Sequence, residues 1–187
     1  MHVADAQREV RQVYRGGFMG QLVSGVLWLG SAAAATWATP RAGLLLLVIG
    51  GFFIFPLTTL GLRLLGGPWK LSAENPLGGL GMQVAFVLPL SLPVVAGAAA
   101  HRLEWFYPAF MVVLGAHYVP FVFLYGMRLF VALAGVLIVL GLVLAHHHGL
   151  FGGPAWITGA VLLAFAALGL QAVRRERARD AGTARPS

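Results

Sequence analysis

The sequence predicts an all-α fold: a polytopic transmembrane helix bundle of six spans, with both the N- and the C-terminus in the cytoplasm. Of its 187 residues, 59% are hydrophobic and only 10% are charged, and the mean hydropathy is +0.82. Soluble domains carry about 25% charged residues, so this composition indicates a membrane protein. The apolar residues form six runs of about 20 residues, each long enough for a helix to cross a bilayer.

The first segment, residues 1–16, precedes the apolar runs and has an amphipathic pattern. Its valines and alanines recur at helical spacing with arginines on another face, which predicts a short helix lying on the membrane surface. A solvated tail is the alternative. The transmembrane domain occupies residues 17–173, and residues 174–187 form a basic tail that we expect to be disordered. The six spans are predicted at residues 17–38, 41–65, 78–100, 104–125, 127–147 and 154–173.

Four prolines fall inside the predicted spans: Pro56, Pro89, Pro93 and Pro120. A proline within a helix frees a backbone carbonyl on the preceding turn. Transporters use such broken helices to line solute-binding cavities. Transmembrane helices also carry prolines without any such role, so these residues favour a cavity only modestly.

The distribution of Lys and Arg predicts the orientation. With the N-terminus in the cytoplasm, eleven of the thirteen basic residues lie inside, and only Arg41 and Arg102 lie outside. This bias follows the positive-inside rule. The arginines flank the apolar runs, so the partners they imply are membrane lipids, with anionic head groups at the cytoplasmic face, and not nucleic acid. The sequence also allows a homo-oligomer.

The composition argues against several kinds of chemistry. The chain has no cysteine, which excludes disulfides, thiolate nucleophiles and thiolate metal sites. Both aspartates lie in the terminal segments, so no Ser-His-Asp set is available. Glu74 and Glu104 fall on opposite sides of the predicted membrane, which argues against catalysis by paired carboxylates. No cofactor is implied.

One stretch, from Glu104 to Leu129, is apolar enough to span a bilayer and still carries polar side chains towards one end. An ionisable group at membrane depth usually faces a protein interior or a water-filled cavity. Helix rise places polar residues of the neighbouring spans, Thr58 and Thr59 among them, at a similar level. The sequence therefore predicts a cytoplasm-facing pocket with seven candidate lining residues: His117, Tyr118, Arg63, Arg128, Gln83, Glu74 and Tyr125.

In this pocket the two arginines would suit an anionic group, and Glu74 would close the mouth. Structural alternatives stay open for these residues. His117 could simply donate to the carbonyl of a neighbouring helix, and each arginine could be an interface anchor. An apolar and aromatic stripe is expected to pack between helices first and to stack on a ligand second; its members are Tyr107, Met111, Leu114, Tyr118, Phe121 and Tyr125.

Histidines on the outer side are the weak candidates for metal ligands. His146, His147 and His148 end the fifth span, and His101 lies in the other outer loop. Imidazole binds zinc, copper and nickel, but consecutive histidines on a helix point in different directions. We therefore predict no metal site.

Three functions are compatible with this pattern. The first is a membrane protein that binds or moves a small molecule or a lipid through the polar pocket. The second is a membrane-embedded enzyme that acts on a lipid head group, with His117 as general base; we do not favour catalysis. The third is a non-catalytic interaction or assembly module, in which the polar groups only join helices together.

Five stretches between Tyr14 and Arg128 carry a family resemblance: YRGGFMGQLVSGVLWL, FFIFPLTTLGLRLL, ENPL, MQVAFVLPL and EWFYPAFMVVLGAHYVPFVFLYGMR. They resemble an uncharacterised bacterial family of small six-span integral membrane proteins. The resemblance implies a multi-pass protein of the bacterial cytoplasmic (inner) membrane. The family has no assigned activity, so the resemblance transfers no catalytic or binding residues.

Overall fold

A computed structural model describes residues 1–147 and 151–183, and these residues fold into α-helices joined by short turns, with no β-strand among them. The all-α prediction is therefore confirmed. The helices are α1 (Val3–Val13), α2 (Phe18–Trp37), α3 (Pro40–Gly51), α4 (Ile54–Leu64), α5 (Leu77–His101), α6 (Phe106–Tyr125), α7 (Leu129–Leu144) and α8 (Gly153–Thr183).

By length and composition, four of the described helices can cross a membrane: α2, α5, α6 and α8. A fifth candidate is the pair α3 and α4 taken as one broken span. Helix α7 is apolar but has only 16 residues, so it is about 24 Å long, against a hydrocarbon core of about 30 Å. The structure thus supports four or five spans, and the sixth stays a prediction.

The predicted second span is broken into α3 and α4, whose axes differ by 60°. The break has a local cause. Gly50 and Gly51 weaken the end of α3, and Pro56, which cannot donate to the carbonyl of Phe52, is tolerated because it lies in the first turn of α4. As a consequence, α4 leaves the direction of α3.

Helix α6 lies at the centre of the bundle and packs against α1, α5, α7 and α8. Its predicted packing stripe is buried, with Phe121 half-buried, so the packing prediction is confirmed. Tyr107 also joins α6 to α2, because its hydroxyl lies 2.7 Å from the hydroxyl of Ser31. The Ser31 hydroxyl in turn donates to the carbonyl of Gly43 on α3.

Helix α1 is docked on the bundle, and the side of the bundle it covers is called the α1 end below. Ala6, Val10 and Val13 are buried against protein. Gln7 donates to the carbonyl of Phe123 at 2.6 Å, and Arg11 donates to that of Tyr125 at 2.8 Å. The last carbonyls of a helix lack a full set of intrahelical partners; that of Phe123 otherwise accepts only from the Gly126 backbone N–H at 3.3 Å, and these two side chains add donors there.

The tail is helical where the sequence predicts disorder, since α8 continues without interruption to Thr183. One interaction that stabilises this extension of α8 is a bidentate ion pair. Arg11 binds both carboxylate oxygens of Glu176, at 3.0 and 2.7 Å. Arg177 in addition donates to the carbonyl of Gln12. Residues 174–183, for which the sequence predicts disorder, thus belong to α8 in the structure.

Glu9 fastens the connection between α4 and α5 to α1. Its carboxylate accepts from the Ser72 backbone N–H at 2.6 Å, from the Ser72 hydroxyl at 3.0 Å and from the Asn75 amide at 2.9 Å. These hydrogen bonds, chiefly the one from the Ser72 backbone, lower the pKa of Glu9 below its ordinary value of 4.5.

A pH dependence of stability follows from this contact. Because the pKa of Glu9 is lowered by folding, its stabilising effect is complete above the ordinary pKa of 4.5 and is lost as the pH falls through the lowered value. Glu9→Gln should therefore lower the unfolding temperature at pH 7, and the difference from the wild type should shrink below pH 4.5. Thermal unfolding between pH 7 and pH 3 measures it.

Ser72→Ala is the control for this prediction, because it removes the hydroxyl but keeps the backbone donor that acts most strongly on Glu9. It should preserve most of the pH dependence. A difference between Glu9→Gln and wild type that is equal at pH 7 and pH 3 would contradict the assignment.

Candidate ligand-binding pocket

A cavity of about 140 Å³ lies towards the α1 end, between α2, α4 and α6, and is called the polar pocket here. Its polar lining comes from three helices: Gln21 and Ser24 of α2, Thr58 of α4, and His117, Tyr118 and Tyr125 of α6. Tyr14, which precedes α2, also contributes. The pocket exists because α4, after the 60° bend, does not close against α6.

Two glycines fix how α2 enters the pocket wall. Gly16 and Gly17 adopt left-handed conformations, with φ of 66° and 82°, which glycine tolerates without a steric penalty. Helix α2 starts directly after them and directs Gln21 inward. Gly17 and Gly20 also line the cavity, and the absence of side chains there leaves the space open beside Gln21 and Thr58.

The polar pocket carries unpartnered polar atoms. In the described part of the chain, four buried side-chain atoms have no hydrogen-bond partner within the protein: Gln21 Oε1 and Nε2, Thr58 Oγ1 and His117 Nδ1. All four belong to residues that line this cavity, and Gln21 and His117 are only 2% and 8% exposed. Each such group costs about 1–3 kcal/mol. The protein therefore maintains a desolvated polar wall whose groups do not bond to one another.

Thr58 shows that this arrangement is unusual within the bundle. A hydroxyl in a helix commonly bonds back to the carbonyl four residues earlier. Thr36, Thr59, Ser91 and Thr158 do so, at 2.7 to 3.0 Å. The hydroxyl of Thr58 forms no such bond, although the neighbouring Thr59 does. It remains available to the cavity.

The surroundings of His117 define the role of its free nitrogen. Its ring packs against those of Tyr118 and Phe121, with centroids 5.5 and 5.1 Å away. The imidazole also interacts with the backbone carbonyl of Val84 on α5, and that carbonyl can only accept. A neutral imidazole has one N–H. If that N–H serves Val84, Nδ1 presents an acceptor to the polar pocket.

The structure brings together three of the seven predicted lining residues: His117, Tyr118 and Tyr125. The other four do not line the pocket and are exposed: Arg63, Glu74, Gln83 and Arg128. Glu74 therefore does not lie at the mouth of this cavity, and the two arginines do not contribute an anion site to it. Arg63 instead stacks over Trp69, with its guanidinium carbon 3.9 Å from the ring centre.

One physical reason explains why these four residues lie away from the pocket although their predicted level is similar. Helix rise gives the level of a residue along the bundle, but each residue turns the side chain by about 100° around the helix axis. Gln83 is at the right level and faces outward, whereas its neighbour Val84 is buried. Conversely, sequence reasoning missed Gln21. The available signal was a lone amide at membrane depth beside Gly17 and Gly20.

The structure describes three of the four histidines considered as metal ligands: His101, His146 and His147. His146 and His147 are exposed, and His146 Nδ1 lies 2.8 Å from the carbonyl of Leu142. His101 packs beside Trp105. His148 lies outside the described residues. Among residues 1–147 and 151–183, no three His, Asp or Glu side chains come together in a way that could hold a metal ion.

A second cavity, of about 300 Å³, adjoins the polar pocket and is called the apolar cleft. It lies between the α3–α4 break and α5, with Trp28 and Phe110 at its inner wall. The lining is almost entirely hydrocarbon. Four residues belong to both cavities: Ser24, Ile54, Leu88 and Leu114.

The fold and this site define a class: an all-helical protein with several membrane-type apolar helices and an internal polar pocket. The chain belongs to a family of unknown function (DUF7010), whose sequence profile matches residues 3–172. This agrees with the resemblance to an uncharacterised family. The chain matches no curated protein and no solved structure.

The unpartnered amide predicts a stabilising substitution. Gln21→Met keeps the length of the side chain and removes a buried polar group, so it should raise the free energy of unfolding of the purified protein by about 1–3 kcal/mol. Thermal unfolding in detergent, followed by tryptophan fluorescence, measures the change. Gln83→Met, at an exposed position of α5, is the matched control and should have little effect. A lower unfolding temperature for Gln21→Met would show that the amide is already satisfied.

Proposed function

We propose that the protein is a multi-pass protein of the bacterial cytoplasmic membrane that binds or transports a small neutral molecule, or the neutral polar group of a lipid, in the polar pocket. One observation carries this proposal. Three side chains from three helices, Gln21, Thr58 and His117, direct unpartnered hydrogen-bonding atoms at one cavity. A bound molecule with hydrogen-bonding groups would recover the free energy that these desolvated atoms cost.

The chemistry of the wall sets the charge of this molecule. Among residues 1–147 and 151–183, no Lys, Arg, Asp or Glu lines the pocket, and an isolated ion in such a site would lack a partner. The wall offers an amide donor, an amide acceptor and a hydroxyl that can do either. We therefore infer a neutral ligand that carries both hydrogen-bond donors and acceptors.

The membrane arrangement in this proposal has six spans and puts the α1 end in the cytoplasm. The support is the excess of basic residues on that side, which the positive-inside rule places inside. Exposed arginines there, such as Arg8 and Arg174, would contact anionic head groups. Helix α7 would cross as the short fifth span in the predicted order, with local thinning of the bilayer.

The two other hypotheses have less support. An assembly module would use its polar groups to join helices, but Gln21, Thr58 and His117 Nδ1 do not bond to one another. An enzyme with His117 as general base commonly pairs it with a charged catalytic side chain, and no Asp, Glu, Lys or Arg is among the described residues that line the pocket. Binding needs only the groups that the pocket presents.

Mass spectrometry of co-purified molecules tests the proposed binding. Wild-type protein extracted from its native membrane into lipid nanodiscs should retain a small neutral molecule. A double variant with Gln21→Met and Thr58→Val should lose it, because both substitutions keep the side-chain volume and remove the hydrogen-bonding groups. Gln83→Met should retain the molecule. Equal retention by wild type and double variant, or no retained molecule in wild type, would refute the proposal.

A further inference from the structure

The polar pocket and the apolar cleft adjoin each other, because Ser24, Ile54, Leu88 and Leu114 line both. Taken together as one site, they have a group of hydrogen-bonding atoms at one end and hydrocarbon at the other. A ligand that fills the whole site must therefore be amphipathic, with a polar group at one end and hydrocarbon at the other. Water or a small polar solute could fill only the polar part.

The cleft opens sideways, towards the medium that surrounds the apolar helices. Helix α4 packs mainly against α2, whereas α5 packs against α6 and α1, so α4 and α5 are not held against each other. The side chains along this opening are apolar and exposed. Phe52 and Phe55 lie on one side, 64% and 66% exposed, and Met82 and Phe86 lie on the other, 55% and 57% exposed. A molecule in the bilayer would thus meet the cleft first.

The volumes limit the size of this molecule. An apolar cavity of about 150 Å³ holds one benzene molecule, so the cleft of about 300 Å³ suits one alkyl chain and not the two chains of a phospholipid. The polar pocket of about 140 Å³ holds a head group of a few heavy atoms. A phosphate ester would bring a charge that the wall does not neutralise.

We propose, resting on the proposed function, that the ligand is a neutral single-chain amphiphile with a hydroxyl- and carbonyl-bearing head, of the monoacylglycerol class. It enters from the membrane between α4 and α5. Its head hydroxyls donate to Gln21 Oε1 and to His117 Nδ1, and its carbonyl accepts from Gln21 Nε2 or the Thr58 hydroxyl. Its chain lies along Trp28 in the apolar cleft.

Trp28 provides the direct readout, because it is 2% exposed and lines the cleft. Substitution of the other four tryptophans by Phe leaves Trp28 as the only fluorophore; these are Trp37, Trp69, Trp105 and Trp156. In nanodiscs of diacyl phosphatidylcholine, a monoacylglycerol with a brominated chain should quench Trp28 in a saturable way. A brominated diacyl lipid, brominated fatty acid at pH 8 and glycerol alone should each fail to do so.

Two variants test separately how the alkyl chain and the polar head of the ligand are bound. Ala85→Phe fills the cleft from an exposed position of α5 that lines it, and should abolish the quenching. Ala132→Phe is its matched control, at an exposed position of α7 away from both cavities, and should bind as wild type. Gln21→Met should weaken binding of the monoacylglycerol about tenfold, since it removes hydrogen bonds to the head.

The outcomes distinguish this inference from the proposed function. If Gln21→Met with Thr58→Val loses a retained polar molecule, but monoacylglycerol does not quench Trp28 and Ala85→Phe changes nothing, the pocket binds a polar solute and the amphiphile is refuted. Equal quenching by the diacyl lipid would mean that the cleft is an ordinary lipid-facing groove, and would also refute it. The wild-type protein, with all five tryptophans, allows a second measurement. Monoacylglycerol should raise its unfolding temperature, and Ala85→Phe should remove that shift.

Discussion

The central position of α6 is the constraint on which the rest of the structure depends. Its aromatic and aliphatic stripe is covered by α1, α5, α7 and α8, and Tyr107 ties it to Ser31 of α2. In an apolar medium there is little hydrophobic drive between helices, so close packing and internal hydrogen bonds decide which helices associate. Helix α4 packs mainly against α2 and not against α6, because the bend after α3 turns it away. Both cavities lie in the space this leaves.

The polar pocket is a local conflict between stability and binding. Buried polar groups in proteins are nearly always hydrogen-bonded, and hydroxyls of Thr36, Thr59, Ser91 and Thr158 follow that rule in these helices. Gln21, Thr58 and His117 break it at a single place. A sequence selected only for stability would have an apolar residue at each of these three positions. Such local violations are expected where a protein keeps a functional site.

Helix α1 and the turn that follows it close the bundle next to this site by supplying donors to helix ends. Gln7 and Arg11 bind carbonyls at the end of α6, and Arg15 binds the carbonyls of Leu65 and Gly66 just after α4. A cationic side chain also interacts favourably with the negative end of a helix dipole. The same short segment thus holds two of the helices that form the polar pocket, and the Glu9 contact holds the connection between α4 and α5.

The sequence by itself determined the helices, their approximate bounds and the level of the polar residues, because apolar run length, proline and glycine act locally. It also determined that Tyr118 and Tyr125 share one face of α6, since residues seven apart lie on the same side of a helix. Only the tertiary structure decided that Gln21 joins them while Gln83 faces outward, because the rotation of one helix against another depends on packing between distant residues. The helical tail also depends on distant residues, because Arg11 stabilises it from the other end of the chain. The space between α4 and α6 likewise results from tertiary packing.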